Sequence, residues 1–388
     1  MNSMLKYTAL AVFVGASGAA YADPVETKGG ITVKTEDGRF EAKVGGRIHL
    51  DSNIWTDDED FGDLSTGVFF RRARLSLEGK AYGWTYKFEN DFAGQSGTQG
   101  SGFRELWIGT KVAGANLRIG QAKPYRSMEE LTSSNEILFM ERPFSSASGI
   151  YRQFQTGLFL DGSGSNWGWG VSAYNLRAGE ATADDTDGMG FAGRLHYAPV
   201  MTDKSVFHIG GTAGIDNPAN QKTVGASVRY AGRRGPSQSL SANSTDEQTS
   251  FGLELAGKAG AFYAQGEYHM ATFAEANAGQ DVDVNTYYVQ ASYLLTGESK
   301  PYDVKKGVFK SPKPNGSNGA WELKVRYDFI DNADASTERE ISQLSAGVNW
   351  YVNPNVRLMV EYVQGDNEPT GGTDVSGSLI STRAQFSF

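Results

Sequence analysis

Several arginines in this sequence have the chemistry and the spacing of an ion path. Arg72, Arg74, Ser76, Glu78 and Lys80 recur at every second residue and so share one face of an extended strand. Arg47 sits on such a face as well, with His49 and Asp51. A guanidinium stays charged and offers forked donors that match phosphate and carboxylate oxygens. A row of these donors can replace part of an anion's hydration at each step and still release it, which is what anion conduction requires. Arg71 faces away from Arg72 by simple alternation, and only a bulge at the strand start turns it to the same side. In the competing reading, these arginines pair with Glu78, Glu89, Asp91 and Glu105 and merely stabilise a wet interior.

Other chemistries are weakly supported. The four histidines, at 49, 196, 208 and 269, show neither metal-ligand nor nucleophile-activating spacing. Asp281-Val282-Asp283 and the run Asp57-Asp58-Glu59-Asp60 read as solvated loops, the second with a further reading as a cation bridge to lipopolysaccharide. Gly162 to Gly170 opens no helix, so it does not cradle a phosphate. No Ser/His pair is placed to act as nucleophile and base, so an enzyme is not expected, and neither is a cofactor or a metal.

The elements that must position these residues are strands in a membrane. Lys6, the apolar run Tyr7 to Gly15 and the small-x-small triplet Ala20-Tyr21-Ala22 have the form of a cleaved export signal over residues 1–22. The remaining chain, 23–388, has no apolar run of the roughly 20 residues that a membrane helix needs. It has no cysteine, so no disulfide supports it in an oxidising compartment. With 48 Gly, 21 Phe, 18 Tyr and 7 Trp, the chain fits many twisted strands with an aromatic girdle. The net charge of −9 excludes a nucleic-acid partner but leaves a channel open, because acidic loops and a basic lumen can coexist.

Dyad alternation, apolar outward and polar inward, is the signature of a transmembrane barrel. Trp321, Leu323, Val325, Tyr327 and Phe329 alternate with Glu322, Lys324, Arg326 and Asp328. The last segment sets Ile380, Thr382, Ala384 and Phe386 against Ser381, Arg383 and Gln385, and ends on Phe388 like the assembly signal of outer-membrane proteins. Alternating segments occur near 39–51, 69–81, 84–92, 103–111, 115–121, 151–160, 167–175, 190–198, 205–214, 222–231, 249–258, 261–270, 286–295, 320–330, 341–351, 355–364 and 380–388. Those are seventeen, and single-chain barrels have an even number. If Tyr82-Gly83 is a periplasmic turn, counting 222–231 as wall would put the tight Ala259-Gly260 link outside and the 272–285 stretch inside. Dropping 222–231 leaves sixteen strands and one long fifth outer loop, 215–248. The 296–319 connection is then periplasmic, long, and expected to enter the lumen.

Several stretches resemble the phosphate-selective porins of the O and P type. They are Gly45-Gly46-Arg47, Phe70-Arg71-Arg72-Ala73, the run from Glu129-Glu130-Leu131-Thr132-Ser133-Ser134 to Met140-Glu141-Arg142, Leu294 to Glu298, Gly319 to Leu323, and Gly347 to Tyr351. The resemblance implies a sixteen-stranded antiparallel transmembrane β-barrel, a homotrimer, with loops three and five and the periplasmic segment folded into the lumen. It implies ladder positions at Arg47, Arg71 and Arg72 and a constriction arginine at Arg142. Glu130 takes the place of the family's constriction lysine, where it would repel a dianion unless paired with Arg142 or neutralised by Lys123 and Arg126. Arg104 replaces an aspartate of the family's fourth strand, and a dense arginine series in loop five becomes Arg229, Arg233 and Arg234.

The sequence is therefore read as an outer-membrane porin, a water-filled channel for passive diffusion of small anions, phosphate or polyphosphate among them. The residues expected to line the pore or bind anions are Arg47, Arg71, Arg72, Arg74, Arg104, Lys123, Arg126, Glu130, Arg142 and Arg229. Its partners are small solutes, outer-membrane lipid and lipopolysaccharide. The alternatives are a general or weakly cation-selective porin, favoured by Glu130 and the acidic total, and an adhesin or receptor using the outer loops.

Overall fold

A computed structural model describes residues 31–62, 64–93, 102–176, 188–218, 224–241 and 246–388. The expected export signal, 1–22, lies outside the described residues. The chain forms sixteen long antiparallel wall strands, numbered β1 (Phe40–Asp57), β2 (Gly67–Ala81), β3 (Trp84–Asp91), β4 (Gly102–Val112), β5 (Ala115–Ala122), β6 (Gln155–Ser163), β7 (Trp167–Asn175), β8 (Met189–Met201), β9 (Ser205–Asn217), β10 (Gln248–Ala259), β11 (Phe262–Asn277), β12 (Gln280–Leu294), β13 (Ala320–Ala333), β14 (Arg339–Tyr351), β15 (Val356–Pro369) and β16 (Val375–Ser387). Each pairs with its sequence neighbours, and β1 closes on β16 from Arg47↔Ser387 to Asp57↔Ser378. A short strand, Ile31–Lys34, continues the wall by pairing with residues 41–44 of β1.

The alternation dictates this closure. On β13, Val325 is 47% exposed while its neighbours Lys324 and Arg326 are 4% and 2% exposed. In water such a sheet would be inside out, and only a lipid exterior makes the apolar face favourable. With no water in the hydrocarbon region, the backbone polar groups must pair from strand to strand, which a closed barrel achieves without an edge. Tight turns at Tyr82-Gly83, Ala113-Gly114 and Ala278-Gly279 have positive φ at both residues, the conformation that matches strand twist in two-residue hairpins.

Each of the sixteen retained segments overlaps a wall strand, and 222–231 does not. It contributes Ser227–Arg229, which pairs with Ser237–Ser239 in a small hairpin of the fifth loop. That loop enters the barrel mouth: Val224, Ala226, Val228, Tyr230 and Leu240 are buried against Phe144, Phe273, Val282, Ile330 and Ile341. The same packing explains a correction. The segments read as 261–270 and 286–295 are β11 and β12, which run on to a two-residue turn. Toward the outer rim the pattern inverts: Ala271, Phe273, Val282 and Val284 face the loop-filled lumen, while Thr272 donates to Asp283 at 2.6 Å on the other side. A further correction concerns 151–160. Strand β6 begins at Gln155, and Tyr151 to Phe154 belong to loop three, with Tyr151 bonded to His269 inside the lumen.

The long periplasmic connection, 295–319, also enters the lumen. Arg194 donates to the carbonyls of Lys306 and Gly307 at 2.7 and 2.9 Å, and His196 Nε2 contacts the Val304 carbonyl at 2.8 Å. Val308 and Phe309 pack on Met128, Leu138 and Phe139 of loop three.

Val325 lies near mid-strand on the lipid face, so Val325→Lys is expected to destabilise the barrel by about 2–4 kcal/mol. Guanidinium unfolding in lipid vesicles measures this; an unchanged midpoint would place that face away from hydrocarbon.

Candidate functional site

Loop three, residues 123–154, leaves β5, crosses the lumen and returns to β6. It contains two single-turn helices, α1 (Met128–Leu131) and α2 (Phe144–Ala147). Ser127 starts the first, its hydroxyl accepting from the Glu130 amide at 3.2 Å. Between the helices, wall side chains take up the loop's backbone groups. Arg357 donates to the Ile137 carbonyl at 3.0 Å, and Lys324 and Asn349 both donate to Leu138 at 3.1 Å. Arg383 reaches Met140 at 2.7 Å and Arg326 reaches Glu141 at 2.9 Å. Glu361 accepts the Met140 amide at 2.8 Å, and Glu267 accepts the amides of Met128 and Glu129 at 3.1 and 2.8 Å. The inward faces of β11 and β13–β16 thus hold the loop, and the lumen stays open along β1–β5.

A cavity of about 450 Å³ occupies that opening. Among the described residues, ten cationic side chains line it against four carboxylates, so its field is positive although the whole chain is acidic. A second cavity, of about 600 Å³, lies toward the periplasmic turns and shares Lys87, Glu105, Lys123, Leu131 and Lys306 with the first. The two make one path, joined where three lysines meet.

The predicted residues fall into three groups. Arg47, Arg71, Arg72, Arg74, Lys123 and Arg142 all line the outer cavity. Arg47 bridges wall and loop, with Glu89 at 2.7 Å and the Ser134 hydroxyl at 2.8 Å. Arg74 pairs with Asp91 at 2.8 Å and Glu89 at 3.0 Å. Arg71 turns inward because the register slips from His49↔Arg72 to Leu50↔Phe70, making it the extra residue of a bulge. It binds Glu141 through two nitrogens at 2.6 and 2.7 Å. Arg72 forms no ion pair among the described residues; one of its nitrogens lies 3.4 Å from His49 Nδ1. The pairing reading is therefore realised for Arg47 and Arg74 with the carboxylates expected, and Arg71 is paired with Glu141 instead, but the cations remain in excess.

Glu130 and Arg104 form a second group, immediately behind the lining. Lys123 contacts the Glu130 carboxylate at 2.6 Å, and Arg142 Nε lies 3.8 Å from its other oxygen. Arg142 also donates to the carbonyls of Glu129 and, at 2.7 Å, Thr132, so it stabilises the turn that carries Glu130. Arg104 is buried 3.7 Å from Asp91, with its guanidinium 5.7 Å from the Phe154 ring centre.

Arg126 and Arg229 stand apart from the cavity, which corrects their expected place on it. Arg126 turns to the opposite wall, where it meets Asp216 at 2.9 Å and the Tyr174 hydroxyl at 2.5 Å, and so does not neutralise Glu130. Arg229 lies on the loop-five hairpin and donates to the Gly235 carbonyl at 2.9 Å, while Arg233 of the next turn lines the cavity. Lys87, Lys306 and Lys310 complete the cationic lining beyond the predicted set. Lys87 was readable from its place between Thr85 and Glu89 on an inward face; Lys306 had only the expectation that 296–319 enters the lumen.

Lys123 is the first residue of loop three. Burial, reinforced by nearby Arg142 and opposed by Glu130, lowers its pKa to about 8.

A family model described as "Phosphate-selective porin O and P" matches residues 42–388. The chain belongs to this family. Porin O of Pseudomonas aeruginosa is 32% identical over 411 aligned positions, which span 94% of this chain and 92% of that protein. Among solved structures, an anion-selective porin from Comamonas acidovorans superposes with a TM-score of 0.60 at 14% identity, covering 89% of this porin and 99% of that one. A trimer form of OmpT from Vibrio cholerae gives 0.56 at 11% identity, covering 89% and 99%. These likenesses establish the fold of an outer-membrane barrel. The porin is thus a channel of the bacterial outer membrane.

The tether predicts a specific fragility. Lys324 binds both Glu361, at 2.5 Å, and the loop at Leu138. Lys324→Met strands a buried carboxylate and is expected to cost about 3–5 kcal/mol in unfolding titrations. Increased open-channel noise in single-channel recordings would accompany it, and a quiet channel of unchanged stability would refute the tether.

Proposed function

We propose that this porin passes small anions, phosphate or polyphosphate among them, by passive diffusion, and that it does so as a homotrimer after loss of residues 1–22. The observation that carries the reading is the excess of cations along the open side of the lumen, ten against four carboxylates among the described residues, in a chain of net charge −9. Bound in a row, their donors replace an anion's water stepwise. The family description supports phosphate among the solutes, and the trimer form of the Vibrio barrel supports the assembly. Glu130 is the strongest feature against phosphate, and its contacts with Lys123 and Arg142 cancel most of its repulsion. The aromatic and aliphatic exterior meets outer-membrane lipid, and in this proposal the acidic run Asp57 to Asp60 bridges lipopolysaccharide through divalent cations.

Reversal potentials under a salt gradient test the central claim. An anion-selective potential is expected, and a cation-selective one would leave a general porin as the surviving reading. Arg72→Glu reverses a charge that forms no ion pair among the described residues, so the anion-to-cation permeability ratio is expected to fall roughly tenfold or more.

The state of Lys123 sets a pH dependence. Its ammonium is present below about pH 8 and is lost above it, which leaves Glu130 with a weaker partner. Anion preference should therefore decline between pH 7 and 9, as read from reversal potentials. Lys123→Arg, which stays charged, removes the step; a step that persisted in this variant would point to another group.

A further inference from the structure

The two halves of the lumen differ in chemistry. Barrel lumens are polar, yet three rings stand together in the periplasmic half: Trp107 on β4, Tyr125 on loop three and Phe159 on β6. They surround the guanidinium of Arg118 on β5, whose central carbon lies 5.5 Å from the ring centres of Trp107 and Tyr125 and 5.8 Å from that of Phe159. Glycines in the wall make room for them. A Cβ at Gly170 would lie 2.3 Å from the Tyr125 ring, and one at Gly120 would meet the β4 backbone at Leu106 and Trp107, so the strand that carries Trp107 comes in close.

Packing alone accounts for Phe159 and Tyr125, which are covered. It accounts only in part for Trp107, which packs against that pair yet stays half-buried and lines the 600 Å³ cavity beside Arg118. The indole N–H donates to Glu105 at 3.2 Å, fixing the ring, and 22% of the Arg118 side chain remains exposed. Tyr125 completes the mount, accepting from Arg118 and donating to Asp161. Eight cations and three carboxylates line this cavity among the described residues, so its field favours an anion. Within one path there is thus a ring-bearing shelf next to the lysines of the junction.

We propose that the shelf is a binding station for organic anions that carry an aromatic ring, aromatic carboxylates in particular. The ring lies against Trp107 and the Arg118 plane, and the carboxylate turns to Lys87 and Lys306 at the junction. This rests on the anion reading of the channel and extends it to a second class of solute. An inorganic anion has no ring, so the shelf does not affect it. Stacking on an indole flanked by a guanidinium favours an aromatic ring over a saturated one of equal size by roughly tenfold.

Chloride currents through the full-length porin in planar bilayers provide the test, with benzoate or cyclohexanecarboxylate added symmetrically. Benzoate is expected to halve the current at about a tenfold lower concentration than its saturated analogue. Trp107→Leu should abolish that difference and leave the effect of inorganic phosphate unchanged, and Trp107→Phe should retain most of it. Equal block by the two carboxylates in the wild type overturns the shelf without need of any variant, and so does a difference that survives Trp107→Leu. Reversal potentials recorded in the same membranes separate the two claims: anion preference with equal block removes the shelf alone, and cation preference removes the channel reading beneath it.

Discussion

Loop three must carry its backbone through a lumen, and every N–H and C=O it buries there needs a partner. It has too little helix to satisfy them internally, since α1 and α2 are single turns. The partners come from the wall. Arg357, Lys324, Asn349, Arg383 and Arg326 donate to carbonyls between Ile137 and Glu141, while Glu361 and Glu267 accept amides. Because these side chains lie on β11 and β13–β16, the polar inward face of that half of the barrel is committed to the loop. The opposite half remains for solutes. One alternating pattern, repeated round the barrel, therefore does two jobs, and the position of the loop decides which strand does which.

The electrostatics follow from the same division. Buried ion pairs are costly to desolvate and are weak evidence for stability, but they fix geometry. Arg71 and Arg383 clamp Glu141 of the loop to β2 and β16, at 2.6 and 3.2 Å, and Asp51 on β1 holds Arg383 in place at 2.7 Å. Arg47 and Arg74 share Glu89, which leaves two guanidinium groups facing one shared carboxylate and Asp91. The positive field of the open side is what remains after this pairing. It is a local surplus, and it explains how an acidic protein can present a basic passage.

Much of this was legible in the sequence because lipid imposes a period of two on every strand that crosses it. Lys324 and Arg326 could be placed inside, and Val325 outside, from spacing alone. Parity placed the fifth loop and the 296–319 connection without any knowledge of their structure. The inward turn of Arg71 needed a bulge, which the pattern demanded but could not locate. Legibility failed where lipid no longer sets the rule. At the outer rim Phe273 and Val282 face a lumen filled by loop five, so the expected polarity is reversed and the ends of β11 and β12 were missed. It failed again for contacts distant in sequence. That Arg126 belongs to Asp216 and not to Glu130 depends on which way loop three turns after Ala122, and no local pattern encodes that turn; the partners of Glu130 that were legible, Lys123 and Arg142, lie close to it in sequence.

Glu130 also bears on how a passage of this kind releases what it attracts. A constriction lined by cations alone would bind a multivalent anion tightly, and conduction needs binding weak enough for departure. Lys123 sits 2.6 Å from the Glu130 carboxylate, so part of its charge is already answered before an anion arrives. Arg142 is oriented by two loop carbonyls rather than aimed freely into the opening. The narrow region is thereby less attractive than the outer wall, where Arg72 has no carboxylate partner among the described residues. An anion drawn in by that wall meets a shallower well at the junction of the two cavities, and Lys87 and Lys306 continue the path on the far side. On the proposed anion reading, Glu130 thus limits how long an anion is held, and the attraction that fills the channel comes from the cations of the outer wall.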